Sequence, residues 1–259
     1  MISIPFFQVD AFADRPLTGN PAAVMPLDSW LPDNVLQAIA AENNLAETAF
    51  TVPSKRDDAE FDLRWFTPTV EVNLCGHATI ASGHILLTGA KVRFATRSGI
   101  LTVVRQGNRL QLDLPAYAVE PGEQPGLADA LGIGGQTYLG RGGNGSAIVL
   151  LDSEAAVRSV TPDFAALRDI DRLVIVTAPG DEQDIASRVF AAYHGIDEDP
   201  VTGSAHAALT PFWAKRLGRQ NFSALQASKR TGLLDCTLAG DRVLLGGKCI
   251  TTIVGTFQL

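Results

Sequence analysis

Three cysteines, Cys75, Cys236 and Cys249, are all that the chain contains, an odd number set far apart. That excludes a disulfide framework and suits a reducing cytoplasm. No CxxC and no His-x-x-x-His pair occurs, so no structural zinc site is expected. No basic stripe interrupts a net charge of −7, which argues against a nucleic-acid partner. No apolar run approaches the roughly 20 residues of a membrane helix. The start, Met1 to Asp10, lacks a basic n-region and meets Pro5 and Asp10 too early for a signal peptide. Walker-lysine and G-x-S-x-G motifs are also missing.

What is present describes a packed globular chain. Hydrophobic residues are 46% and charged residues 19% of 259, which disfavours disorder and permits one large domain or two of about 130 residues. A Pro-, Gly- and Glu-rich stretch from Pro115 to Gln124 reads as a linker, giving domains at 1–116 and 117–259, with the last strand able to pack on the first domain. Each half runs through strands, a short helix, a strand, a loop, a glycine-led helix and further strands. That order predicts two similar α+β domains facing across a cleft.

The two glycine-led segments are Asn73-Leu74-Cys75-Gly76-His77-Ala78-Thr79 and Asp199-Pro200-Val201-Thr202-Gly203-Ser204-Ala205-His206. Each enters a helix with its first backbone N–H groups free, and such groups bind anions with the helix dipole behind them. Gly76 admits a ligand close to the backbone. The helix start is expected to push His77 toward its neutral form and to favour the Cys75 thiolate. A small buried cysteine and a satisfied core histidine are the plainer alternatives. Thr202 or Ser204 reads equally as a helix cap, and Asp199, ahead of a proline, as a turn residue.

Glu47 lies between the apolar end of one helix and the strand Thr48 to Val52. Partial desolvation there would suit a general acid or base, whereas a surface junction glutamate is the plain reading. Gly140-Arg141-Gly142-Gly143-Asn144-Gly145 fits G-x-G-x-x-G, but a strand is expected after it, so it reads as a hairpin loop. Gln226 to Gly232 is a polar, basic loop, which either meets a carboxylate or forms a solvated turn.

Together four segments resemble the PhzF-like family, phenazine-biosynthesis-type isomerases related to diaminopimelate epimerase. They are Val9-Asp10-Ala11-Phe12 with Gly19-Asn20-Pro21, Asn44-Leu45-Ala46-Glu47-Thr48, Cys75-Gly76-His77-Ala78-Thr79, and Glu198-Asp199-Pro200-Val201-Thr202-Gly203-Ser204-Ala205. The resemblance implies two pseudo-symmetric domains of the diaminopimelate epimerase-like α+β fold, each a curved β-sheet around a central helix. It also implies no cofactor, a small anionic substrate and a homodimer. By the same resemblance Glu47 matches the catalytic acid/base, with His77 and Asp199 beside it. Gly76, Gly203, Ser204 and Asn20 match substrate-binding positions. The implied reaction moves a C–H proton on a small carboxylate-bearing substrate.

Two departures bear on mechanism. Cys75 stands where related epimerases and racemases carry one of two catalytic thiols, but its counterpart is Thr202, too weak a base unaided. Gln226 to Gly232 matches the family loop only loosely. A racemase or epimerase using Cys75, and a non-catalytic metabolite-binding protein, are the alternative readings.

Overall fold

A computed structural model describes residues 2–140 and 145–259. The chain divides into two compact units, Met1–Asp113 with Gly246–Leu259, and Leu114–Leu245. In chain order the elements begin β1 (Ser3–Ala11), β2 (Asn20–Pro26), α1 (Asp33–Asn43), β3 (Glu47–Pro53), β4 (Phe61–Phe66) and β5 (Glu71–Val72). Next come α2 (Gly76–Leu86), β6 (Lys91–Thr96), β7 (Gly99–Gln106), β8 (Arg109–Pro115) and β9 (Val119–Pro121). Then follow α3 (Leu127–Leu131), β10 (Gln136–Gly140), β11 (Ser146–Leu150), α4 (Glu154–Ser159), α5 (Phe164–Leu167), β12 (Leu173–Pro179), β13 (Ile185–Ala191) and β14 (Ile196–Asp199). The chain closes with α6 (Gly203–Leu217), β15 (Asn221–Gln226), β16 (Gly232–Ala239), β17 (Arg242–Gly247) and β18 (Cys249–Gln258).

In the first unit α2 packs against β1, β2, β3, β7 and β18. It is the central helix because its sequence, Gly-His-Ala-Thr-Ile-Ala-Ser-Gly, offers small side chains on every face. Every residue from Gly76 to Gly83 is buried. At Gly83 an added Cβ would come within 2.6 Å of Val103, so glycine sets how near the helix lies to β7. A helix buried all round needs partners for its hydroxyls, and Thr79 and Ser82 donate to the carbonyls of Cys75 and Ala78 one turn back. On the outer side, Leu36, Ile39 and Ala40 of α1 join Ile4, Met25, Phe50 and Phe66 in a second core.

In the second unit α6 is the central helix. It carries Pro211, which has no N–H to give the carbonyl of Ala207. Tyr117 N–H donates to that carbonyl at 3.0 Å instead, so the chain just after β8 makes good the missing helical bond. Trp213 Nε1–H donates to Thr177 Oγ1 at 3.0 Å, tying the helix to β12. A separate core under α3, α4 and α5 is built on Leu127, Leu131, Val157, Val176 and Phe190.

The two units repeat one order of strand pairing. β1–β2 are antiparallel, β2–β3 parallel, β3–β4 and β4–β5 antiparallel, β4–β6 parallel and β6–β7 antiparallel. β10–β11, β11–β12, β12–β13, β13–β14, β13–β15 and β15–β16 follow in the same sense, step for step. The central helix enters at the same step of each series. This is the α+β, strand-wrapped-helix architecture expected from the sequence.

Several elements differ from the sequence reading. The stretch from Asp184 to Phe190 shows no clear period in the sequence, yet strand β13 (Ile185–Ala191) occupies nearly all of it, with six of its seven residues buried. Its Arg188 is accommodated because the guanidinium is paired with Glu198 at 2.8 Å. Helix α4 carried no periodic signal because it is one short turn-and-a-half, nucleated by Ser153, whose side chain accepts from Ala156 N–H. The strand after the G-x-G-x-x-G segment is β11, not the helix a dinucleotide fingerprint requires. Residues 141–144 of that segment lie outside the described residues. No helix among the described residues is long and apolar enough to cross a membrane.

Candidate active site

Four side chains from three separate segments meet at the start of α2. Asn20 is the first residue of β2 and Glu47 the first of β3, two parallel neighbours, so both stand at the same end of the sheet. Cys75 is the N-cap of α2 and His77 lies in its first turn. His77 Nε2 is 3.1 Å from Glu47 Oε2. His77 Nδ1 is 3.2 Å from the Asn20 side-chain amide and 3.6 Å from Cys75 Sγ. The imidazole is 5% exposed and the Glu47 carboxylate 13%, so the pair is screened from water yet open on one side.

The contact between His77 and Glu47 has hydrogen-bond length without hydrogen-bond alignment. His77 Nε2 and Glu47 Oε2 are both buried with no hydrogen-bond partner. Buried polar atoms are seldom left in that state, and where they are, a role in chemistry or a missing partner is the usual reason. A bound molecule offering one donor and one acceptor would satisfy both.

Charge in this cluster runs against two expectations from the sequence. Burial pushes the Cys75 thiol up, and the neighbouring Glu47 charge adds to this, so the helix start does not deliver a thiolate. Burial also works against a charged His77, but Cys75 and Glu47 outweigh it and hold the imidazole well above its ordinary range. The helix dipole is a fraction of a charge, whereas a carboxylate at 3.1 Å is a full one in a poorly screened place.

Neither central helix begins with a side-chain cap. Cys75 and Thr202 are the two N-caps, in extended conformation, and neither side chain closes its helix. The backbone N–H groups of the first turns at Gly76 and Gly203 are therefore left to other partners, and both glycines are buried. No acidic side chain sits in either first turn.

The start of α6, in the second unit, carries its own polar network. Thr202 does not cap; its hydroxyl donates to Asp199 Oδ2 at 2.5 Å. Gln226, fully buried at the end of β15, accepts from Thr202 N–H at 2.8 Å and donates to the Asp199 carbonyl at 2.7 Å. It also lies 3.2 Å from Thr202 Oγ1. Asp199 is 8% exposed, and Ser204 is half-buried in the first turn of α6. The solvated-turn reading of Gln226 to Gly232 thus holds only for its middle: Lys229 is exposed, whereas Gln226 and Ser228 are tied to the Asp199–Thr202 bend. In the sequence Gln226 reads only as part of a polar loop, because a buried glutamine is marked by its partners, not by its neighbours in the chain.

Gln226→Ala would leave two buried backbone groups without partners. At about 1–3 kcal/mol each, the expected loss is about 2–6 kcal/mol of unfolding free energy, read from urea denaturation. A loss under about 0.5 kcal/mol would show that water replaces the amide.

One turn further on, His206 is fully buried. Its Nδ1–H donates to the Thr202 carbonyl at 2.9 Å, while Nε2 has no partner. Burial holds the imidazole down at about 4, against an ordinary value of about 6.5. Above the unfolded value the ring is neutral in both states and its contribution is complete. As pH falls from about 6.5 to 4 the unfolded chain takes a proton that the folded one refuses. Stability should drop by about 3 kcal/mol over that window. His206→Gln should flatten that slope in denaturation curves taken between pH 7 and 4; an unchanged slope would reject the assignment.

Comparison with known proteins now places the chain. The family model described as "Phenazine biosynthesis-like protein" matches residues 9–255. The chain belongs to that family. It is 48% identical over 265 residues to a protein named "Uncharacterized isomerase" from Pseudomonas aeruginosa, with 100% of both chains covered. A crystal structure of a phenazine biosynthesis protein of the PhzF family from Enterococcus faecalis is 43% identical and superimposes with a TM-score of 0.92 over 100% of each chain. A predicted epimerase from Pseudomonas aeruginosa shares the fold at 22% identity, with a TM-score of 0.77 over 99% of each chain.

Proposed function

We propose that the protein is a cofactor-independent isomerase that shifts a C–H proton on a small carboxylate-bearing substrate, with Glu47 as the general acid/base. Membership of an isomerase-type family, and relatives that carry the name isomerase, support the class. The observation that carries the finer reading is the Glu47–His77 pair: a carboxylate oxygen and a ring nitrogen, 3.1 Å apart, both buried and both without hydrogen-bond partners. A carboxylate with an open oxygen can take a proton from one carbon and return it to another within reach. His77, held above its ordinary range, keeps positive charge beside the Glu47 carboxyl.

Asn20 orients His77 through Nδ1. The uncapped N–H groups at Gly76 are suited to a substrate carboxylate. Gly203 and Ser204 are assigned the same kind of role at the start of α6, with Asp199 as a supporting acid whose carboxyl is braced by Thr202.

The repeated strand order favours one base over two. Where β3 begins with Glu47, β12 begins with Leu173, and where α2 is capped by Cys75, α6 is capped by Thr202. At these two positions the second unit offers neither a carboxylate nor a thiol. A racemase using Cys75 also needs a thiolate, and burial pushes that thiol up.

A proton NMR screen of small carboxylate metabolites in deuterated water tests the proposal. The expected result is enzyme-dependent loss of one C–H signal accompanied by double-bond migration. Exchange at a stereocentre without migration, abolished by alkylating Cys75, would replace it with the racemase reading. Tight binding with no exchange for any carboxylate would point to a metabolite-binding protein.

A further inference from the structure

The donor set at the start of α2 has a second capacity that proton transfer does not use. Cys75 Sγ, a His77 ring nitrogen and a Glu47 carboxylate oxygen all lie within 4.8 Å of one another. We propose that Glu47, Cys75 and His77 form a binding site for a thiophilic divalent cation of the zinc class, and that its occupancy blocks the action of Glu47. The binding rests on geometry alone; the blocking rests on the catalytic reading of Glu47.

Zinc holds sulfur at about 2.3 Å and imidazole nitrogen at about 2.0 Å, so at a tetrahedral angle the two ligand atoms stand about 3.5 Å apart. Cys75 Sγ and His77 Nδ1 are 3.6 Å apart. They already span one edge of the coordination tetrahedron. An imidazole offers one nitrogen to a given ion, so the ion takes the Nδ1 side. The Asn20 amide turns aside there, and Glu47 swings from Nε2 toward the metal. That swing exchanges the 3.1 Å contact with Nε2 for attraction to the doubly charged ion. The second, independent pointer to a ligand is Glu47 Oε2, a prospective ligand atom that is buried without a hydrogen-bond partner.

The chemistry of the set favours zinc over magnesium or calcium. Thiolate and imidazole suit the softer ion, and oxygen-only cages suit the harder ones. Binding forms a Zn–S and a Zn–N bond and breaks the Cys75 S–H and His77 Nδ1–H bonds, and both protons pass to solvent. Affinity should therefore rise with pH. Three protein donors leave a fourth position open, the pattern of an exchangeable site rather than a structural one.

Chelator-treated protein would be titrated with zinc chloride by calorimetry, and with cobalt(II) while recording the thiolate-to-metal charge-transfer absorption. Wild type, Cys75→Ser, Glu47→Gln and, as a thiol control, Cys236→Ser would be compared. The expected result is one equivalent of zinc bound by wild type and Cys236→Ser, at least about tenfold weaker binding by Cys75→Ser and by Glu47→Gln, and a cobalt band that Cys75→Ser abolishes. No stoichiometric zinc binding, no cobalt band, or equal affinity in Cys75→Ser would overturn the site. Should Cys75→Ser fail to fold, mass-spectrometric mapping of iodoacetamide labelling decides in wild type. Zinc must protect Cys75 and not Cys249, and failure to protect rejects the proposal. Both readouts are independent of turnover, so losing this site leaves the assignment of Glu47 to its own test.

Discussion

Glu47→Gln should give a folded protein whose proton-exchange rate is lower by about 10²–10⁴, the range that general acid/base groups supply. Glutamine keeps the shape and the first position of β3, where the backbone pairs with Ala22. It removes only the ability to carry the proton. Its amide can still face His77, so the substitution separates chemistry from packing. The measurement is the rate of C–H signal loss in deuterated water, with circular dichroism as the check on folding. A rate within a factor of about three of wild type would remove Glu47 from the mechanism. A matching shift would appear in the other member of the pair: without a carboxylate at 3.1 Å, the His77 imidazole should titrate lower, visible in its ring-proton NMR shift.

Gly19→Ala should be among the most damaging single-methyl additions in the chain. Gly19 has φ +68°, in the left-handed region, and a Cβ built there lies 2.2 Å from the carbonyl oxygen of Ala11 and 2.9 Å from Ala13 Cβ. The first obstacle is backbone at the end of β1 and cannot rotate away. Left-handed geometry costs about 1–2 kcal/mol for a residue with a Cβ, and forced overpacking about 1–3 more, for an expected loss of about 2–5 kcal/mol in urea denaturation. Gly107, φ +62° with nothing within 4 Å, is the control: there alanine should cost only the conformational part, about 1–2 kcal/mol. Equal losses at the two positions would show that the β1–β2 turn relaxes around the methyl. The turn matters because Asn20 is the next residue and holds His77.

Much of this molecule can be read locally. Helix α1 follows from Leu36, Ile39 and Ala40 at helical spacing, and its end from Asn44, which takes the left-handed conformation at φ 47°. β4 runs over Phe61–Phe66 because an alternating, aromatic-rich stretch is halted by Thr67-Pro68. Helices α2 and α6 start at Gly76 and Gly203, where small residues begin after polar ones. The buried strand β13 has no clear local signal because Arg188 interrupts its apolar run, and that arginine is made tolerable by its ion pair with Glu198 and its bond to the Val160 carbonyl.

The candidate site divides along the same line. Local pattern was enough to mark Glu47 at the mouth of a strand and the glycines at two helix starts, since turn chemistry, capping and periodicity are properties of neighbours in the chain. Charge state and partnership were settled by folding. Asn20, Glu47 and His77 are brought together by parallel pairing of β2 with β3 beside α2, and the burial that follows raises the Cys75 thiol where the helix start alone would lower it. Gln226 acquires its purpose only when β15 carries it to the Asp199–Thr202 bend. The physical reason is common to all three: desolvation and Coulomb energy depend on which groups are close in space, and a linear pattern holds no measure of that distance.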